Sequence, residues 1–170
     1  MPAKNTDDKF APKPMQDPKS HSAQHATFVI DRHFDATPAQ VFKAFADEKA
    51  KSLWFGGTSD WDQLERKFEF RVGGHERLVG KWKSGRKSAF DAYYHDIVPS
   101  QRIVYAYHMH IDDRLISVSL ATIELTPDGD RTRMKLTEQG AFLDGYDDAG
   151  SRETGTRHLL QKLAESLSTS

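Results

Sequence analysis

The chain is 170 residues long, of which 37% are hydrophobic and 29% are charged, and its formal net charge is −1. This size and composition are typical of one globular domain, and the near balance of charges argues against a nucleic-acid binder. The absence of cysteine excludes disulfides, thiolate metal sites and cysteine nucleophiles. No apolar run approaches the roughly 20 residues of a membrane span and no apolar signal segment is present, so we expect a cytoplasmic protein without membrane insertion.

The first part of the chain differs from the rest. Residues 1–24 contain Pro2, Pro12, Pro14 and Pro18 and show no hydrophobic periodicity. Such a segment buries too little apolar surface to order itself. We therefore predict a disordered tail over residues 1–24 and a folded domain over residues 25–170.

The domain opens with a strand and two short helices. The segment Thr27–Asp35 alternates apolar and polar residues, which predicts a strand. Thr37 and Gln40 form the pattern of a capping box around Pro38, which suits the first helical position. Asp47 is a suitable N-cap for a second helix.

The middle of the chain predicts a meander of antiparallel strands. Its segments alternate apolar and polar residues and are separated by Gly, Pro and Asp turns. The predicted strands are Lys67–Val72, Glu76–Lys83, Phe90–Val98, Ile103–Ile111, Leu115–Leu125 and Arg131–Gln139.

The last element is a predicted helix over Ser151–Leu167, with an apolar stripe through Leu159, Leu160, Leu163 and Leu167. It alone is long enough to cover the apolar face of the sheet. We therefore expect an α+β fold in which a curved antiparallel sheet of about seven strands surrounds the C-terminal helix. Wherever side chains do not fill the space between sheet and helix, a cavity remains.

Several motifs in this order resemble the SRPBCC superfamily, whose helix-grip fold is shared by START lipid-transfer domains and the birch-pollen allergen. The group named after the activator of the 90-kDa heat-shock protein ATPase is the most similar. The motifs are Phe34-Asp35-Ala36-Thr37-Pro38, Val41-Phe42-Lys43-Ala44-Phe45, Trp54-Phe55, Phe70-Arg71-Val72-Gly73-Gly74, Val98-Pro99, Arg102-Ile103-Val104-Tyr105 and Thr132-Arg133-Met134-Lys135-Leu136-Thr137. Where many members have a Gly-Trp pair in the last helix, this chain has Gly155-Thr156.

Two acids and one arginine are the candidate polar groups of the cavity. Strand parity places Glu76 and Glu138 on the inner face, and Arg152 falls on the inward stripe of the last helix. A buried carboxylate needs a partner or takes up a proton. Arg152 is therefore an expected partner of either acid. The group is interpreted as a structural ion pair, as an anchor for a ligand, or, through Glu76 or Glu138, as a general acid or base.

Seven aromatic residues form the candidate apolar wall. They suit a cavity that binds a flat or greasy molecule, although plain core packing explains them equally well. They are Trp54, Phe70, Trp82, Tyr94, Tyr105, Tyr107 and Phe142.

Three histidines form a candidate metal site. His95, His108 and His110 lie on neighbouring predicted strands, and three imidazoles are able to bind zinc. Their parity is opposite to that of Tyr105 and Tyr107, which favours the outer face of the sheet, and the sequence fixes no carboxylate beside them. We predict no metal site and no cofactor.

The superfamily includes lipid carriers, polyketide cyclases and hormone receptors, so resemblance alone does not choose a function. The favoured hypothesis is a non-enzymatic binder of a small hydrophobic or aromatic molecule in the cavity. The alternatives are an enzyme of the cyclase or hydrolase type and a protein-interaction or chaperone-ATPase-stimulating module. Residues 1–24 are too short for the extra domain with which the eukaryotic activator contacts its chaperone. The sequence leaves a homodimer open.

Overall fold

The protein, described by a computed structural model over residues 15–169, is a seven-stranded antiparallel sheet with three helices. The spatial order of the strands is β1-β7-β6-β5-β4-β3-β2, so β1 closes back onto the last strand. This arrangement confirms the predicted α+β helix-grip fold. The elements in chain order are β1 (Ala23–Phe34), α1 (Pro38–Ala46), α2 (Glu48–Ser52), β2 (Trp61–Phe68), β3 (His75–Trp82), β4 (Lys87–Val98), β5 (Arg102–Ile111), β6 (Arg114–Asp128), β7 (Arg131–Leu143) and α3 (Ala149–Ser168).

Local side-chain chemistry explains where the helices begin. The Thr37 hydroxyl accepts a 3.3 Å hydrogen bond from the Gln40 backbone N–H, and the Gln40 side chain accepts one of 2.8 Å from the Thr37 N–H. This is the predicted capping box. The Asp47 carboxylate accepts from the Ala50 N–H at 2.8 Å and so begins α2, also as predicted. In α3, Asp148 caps Ser151 in the same way.

The core lies between the inner face of the sheet and the helices. Phe28, Ile30 and Phe34 of β1 are buried in one cluster with Leu160 and Leu163 of α3. Fully burying each of these side chains stabilises the fold by roughly 1.5–3 kcal/mol. The stripe predicted for the last helix is therefore the surface that α3 presents to the sheet.

The predicted strand Lys67–Val72 is wrong in its bounds. The strand at this point is β2, Trp61–Phe68, and residues 69–74 form a turn. The turn is tight, because a Cβ on Gly74 would lie 2.0 Å from the Glu69 carbonyl oxygen, and Gly73 has a φ of +78°. Since β2 is an edge strand with mostly exposed side chains, it lacks the apolar alternation that marks the other strands.

The N-terminal segment is described only in part. The predicted tail falls on residues 1–24, of which residues 1–14 lie outside the described part of the chain. Beyond them, Asp17 pairs with Arg114 at 2.6 Å, and the Asp144 carboxylate accepts from the Ser22 backbone N–H at 2.7 Å. Within residues 15–169, no helix is long and apolar enough to cross a membrane.

Candidate functional site

A cavity of about 810 Å³ lies between the inner face of the sheet and α3. Its volume falls within the roughly 300–1,000 Å³ range of small-molecule sites. Its wall is supplied by residues 15–16, the segment from α1 to β2, strands β3 to β7, the loop at residues 144–148, and α3. Among the side chains that line it are Lys51, Trp54, Phe55, Trp61, Trp82, Phe90, Tyr105, Tyr107, Glu138, Arg152 and Thr156.

Six of the ten predicted binding residues line this cavity: Trp54, Trp82, Tyr105, Tyr107, Glu138 and Arg152. The other four are Phe70, Glu76, Tyr94 and Phe142, which lie behind its wall. Phe70 packs edge-on against Tyr94 with ring centroids 4.9 Å apart, and Phe142 lies 5.3 Å below the Arg152 guanidinium. Tyr94, Glu76 and Phe142 contact the lining residues Tyr105, Lys51 and Arg152, respectively, whereas Phe70 packs on Tyr94.

Arg152 is the centre of one polar cluster. Its guanidinium donates hydrogen bonds to the Tyr107 hydroxyl at 2.9 Å, to Ser117 Oγ at 2.6 Å and to the Asp147 carboxylate at 2.9 Å. The Tyr107 hydroxyl in turn donates to Glu138 Oε1 at 2.8 Å. The structure thus brings Arg152 to Glu138, at 3.7 Å, and not to Glu76.

Glu138 retains its proton more readily than an ordinary glutamate. Burial raises its pKa, and the opposing effects of Arg152 and Tyr107 do not cancel this rise. Its Oε2 atom has no hydrogen-bond partner among residues 15–169. A carboxyl in this state is suited to donate a proton or a hydrogen bond within an apolar cavity.

Glu76 belongs to a second cluster with the opposite electrostatics. Its carboxylate pairs with Lys51 Nζ at 2.6 Å and with Arg66 Nη1 at 2.8 Å, and it also accepts from the Tyr94 hydroxyl. Burial alone would raise the pKa of Glu76, but these partners outweigh burial and lower it. Glu76 is therefore an ionised structural partner and is unsuited to act as a general acid.

Lys51 and Phe55 are wall residues that the sequence analysis missed. Lys51 Nζ lies 4.5 Å from the centroid of the Phe55 ring, and both residues line the cavity. A lysine in a short polar helix normally points into water, so only its contact with Glu76, 25 positions later in the chain, reveals its burial. The motif Trp54-Phe55 was a usable signal for the aromatic neighbour.

The outer face of the sheet carries the histidines where parity placed them. His108 and His110 have their ligand atoms within 4.8 Å of Asp91, whereas the third histidine considered, His95, is not in this group. The structure thus places beside these two histidines a carboxylate that the sequence did not fix there. The Asp91 carboxylate already pairs with His75 at 2.8 Å and with Arg77, so its two oxygens have protein partners.

A known protein family matches most of the chain. The family model described as "Activator of Hsp90 ATPase homolog 1-like protein" matches residues 35–168. The chain belongs to this family. The AHSA1-like family lies in the SRPBCC superfamily, so the resemblance inferred from the sequence motifs is confirmed. Among proteins of curated function, none matches the chain.

Two solved structures share a large part of this AHSA1-like sequence. A protein from Rhizobium loti is 46% identical, with 85% of this chain and 99% of that chain covered and a TM-score of 0.80. A protein from Rhizobium leguminosarum is 42% identical, with 89% and 100% covered and a TM-score of 0.85. An AHSA1-like protein from Aeromonas hydrophila, 15% identical over 85% of this chain and 93% of that chain, has a TM-score of 0.65 and shares the fold.

Proposed function

We propose that this AHSA1-like protein binds a small hydrophobic or aromatic molecule in the cavity between the sheet and α3. The observation that carries the proposal is the 810 Å³ cavity itself. The cavity is partly open to solvent, and concave sites with aromatic walls and a few polar groups are where proteins usually bind small molecules. A space of this size lined by aromatic rings is therefore better explained by an occupant than by core packing.

The wall supports binding because its aromatic rings hold one another in place. Phe55 packs edge-on against Phe90 with centroids 4.9 Å apart, and Phe90 lies 5.1 Å from Tyr107. A ligand therefore meets a surface that is already ordered, which reduces the entropy lost on binding. Each Å² of apolar surface removed from water contributes about 25 cal/mol.

The direct test introduces a tryptophan side chain into the cavity from α3. Thr156 lines it on α3, whereas Thr154 is exposed on the same helix, so Thr156→Trp and Thr154→Trp form a matched pair. We expect the neutral fluorescent probe N-phenyl-1-naphthylamine to bind wild type and Thr154→Trp equally and Thr156→Trp at least tenfold more weakly. Equal binding to all three proteins would place the probe outside the cavity and contradict the proposal.

A second experiment identifies the occupant. Native mass spectrometry of the purified protein, followed by denaturing extraction, reports any small molecule that is retained and its chemical class. A retained hydrophobic or aromatic compound that is absent from Thr156→Trp supports the proposal. Its presence at equal amount in both proteins argues that it adheres to another surface.

An enzymatic function of the cyclase or hydrolase type is the alternative, and Glu138 is the residue that favours it. Its raised pKa and its position on the cavity wall suit a general acid, whereas Glu76 is held ionised behind the wall. The test is turnover of aryl esters by wild type and Glu138→Gln. Hydrolysis above the buffer rate that Glu138→Gln abolishes supports an enzyme, and equal rates for both proteins argue against one.

A further inference from the structure

We infer that the molecule bound in the cavity is an amphipathic organic acid whose carboxylate pairs with Lys51. This inference rests on the proposed function and specifies the chemical class of the ligand. It follows from an uneven distribution of charge between the two polar clusters of the cavity.

The cluster at Lys51 has two basic side chains for one carboxylate. Burial, together with the nearby Arg66, lowers the pKa of Lys51 although Glu76 opposes this, so the buried ammonium is incompletely compensated. Lys51 and Arg66 share the single carboxylate of Glu76, and the side chains of the three residues are only 7%, 11% and 0% exposed. Among residues 15–169, no second carboxylate pairs with either cation, and Arg66 Nη2 has no hydrogen-bond partner. An uncompensated buried charge is unfavourable. An anion that enters from the cavity would compensate it.

The cation of the Arg152 cluster, in contrast, already has a partner of opposite charge. One guanidinium lies between two carboxyl groups, those of Asp147 at 2.9 Å and Glu138 at 3.7 Å. Its remaining hydrogen bonds go to Tyr107 and Ser117. An incoming carboxylate would have to compete with Asp147 for this cation, so the Lys51 end of the cavity is the favoured site for it.

Donors for a carboxylate are available at the Lys51 end. Lys51 has three N–H donors, and its hydrogen bonds to Glu76 and to the Tyr94 hydroxyl occupy two of them. The ring of Tyr105, which lines the cavity, lies 5.9 Å from that of Tyr94, and burial raises the pKa of Tyr105 so that its hydroxyl keeps its proton. The aromatic rings around Lys51, among them Phe55, would take the apolar part of the ligand.

The first experiment compares acids with their methyl esters on the wild-type protein. The pairs are 2-naphthoic acid with methyl 2-naphthoate and decanoic acid with methyl decanoate, titrated calorimetrically at pH 7, where both acids are ionised. We expect at least one acid to bind tenfold or more tightly than its ester. Esters that bind as tightly as the acids would overturn the inference and leave the proposed function intact. Absence of binding by all four compounds would contradict both.

The second experiment assigns the preference to Lys51. Lys51→Met leaves Arg66 and Glu76 as a balanced pair, so we expect it to fold, and Lys49→Met makes the same change at an exposed position of α2. Lys51→Met should reduce the acid-to-ester affinity ratio to near one while the ester still binds, and Lys49→Met should keep the wild-type ratio. An unchanged ratio in folded Lys51→Met would overturn the inference. If that variant does not fold, the acid-to-ester ratio of the wild type decides.

Discussion

Trp61 lies so close to Gly80 on the neighbouring strand that a Cβ on Gly80 would come within 1.7 Å of the indole ring. Gly57 approaches the same ring, since its Cβ would lie 2.1 Å from Trp61 Cγ. The indole N–H donates to Ser88 Oγ at 3.3 Å. The Trp61 ring, which lines the cavity, thus occupies space that side chains at Gly57 and Gly80 would fill.

Gly80→Ala should displace the Trp61 ring, because the added Cβ would occupy the same space. We expect a loss of about 1–3 kcal/mol in the free energy of unfolding, which is typical of overpacking, and a shift in tryptophan emission. Urea titration followed by fluorescence measures both. In a Trp61→Ala background the steric conflict is absent, so Gly80→Ala should cost much less there. An equal cost in the two backgrounds would show that the indole is not the obstacle.

Gly155→Ala should have the opposite effect on stability. Gly155 lies within α3, and a Cβ at this position would meet no atom within 4 Å. Because alanine loses less backbone entropy than glycine in a helix, we expect a gain of about 0.5–1 kcal/mol in the free energy of unfolding. Chemical denaturation measures it, and a loss would mean that the space beside Gly155 is occupied.

Glu138 should make the protein less stable as the pH rises. Burial raises its pKa above the ordinary value of 4.5, so between 4.5 and the higher folded pKa the native state holds a proton that the unfolded chain has released. The free energy of unfolding contributed by Glu138 therefore falls as the pH rises through this window. Glu138→Gln removes this dependence.

The measurement is the Tm of wild type and Glu138→Gln from pH 4 to pH 8. Because all other titrating groups are common to both proteins, their difference isolates Glu138. We expect the wild-type Tm to decline relative to that of Glu138→Gln as the pH rises above 4.5. A rise in the wild-type Tm relative to that of Glu138→Gln would mean that the pKa of Glu138 in the folded protein lies below 4.5. The effect of Arg152 on this pKa would then outweigh that of burial.

The parts of the fold that were predictable from the sequence depend on short-range chemistry. The capping box joins Thr37 and Gln40, which are three residues apart, and the alternation in β5 follows directly from its pleat. The edge strand β2 was misplaced because most of its side chains face water and therefore carry no apolar period. Its place in the sheet comes from pairing with β3, a contact between segments that no local pattern encodes.

The candidate site was predictable where parity decides orientation. Parity placed Tyr105, Tyr107 and Glu138 inward, and all three line the cavity together with Arg152. Parity does not predict how deeply a side chain is buried. Tyr94, for example, is a buried residue of the inner face but does not line the cavity. The buried ion cluster around Lys51 was also missed, since charge on a polar helix gives no sign of burial.

Arg152→Met should destabilise the protein strongly, because Arg152 joins α3 to Ser117 and Tyr107 of the sheet. Removing one partner of a buried polar cluster leaves the other groups without compensation, at a cost of about 3–5 kcal/mol. Glu138→Gln introduced together with Arg152→Met removes the more deeply buried of the two carboxyl groups that lose Arg152 as a partner. The double variant should therefore be more stable than the sum of the two single effects. Urea denaturation of the wild type, the two single variants and the double variant gives the coupling free energy between the two positions.

Arg152→Met would contradict this prediction if it unfolded at the same urea concentration as the wild type but bound N-phenyl-1-naphthylamine more weakly. Arg152 would then act on the ligand and not on the fold.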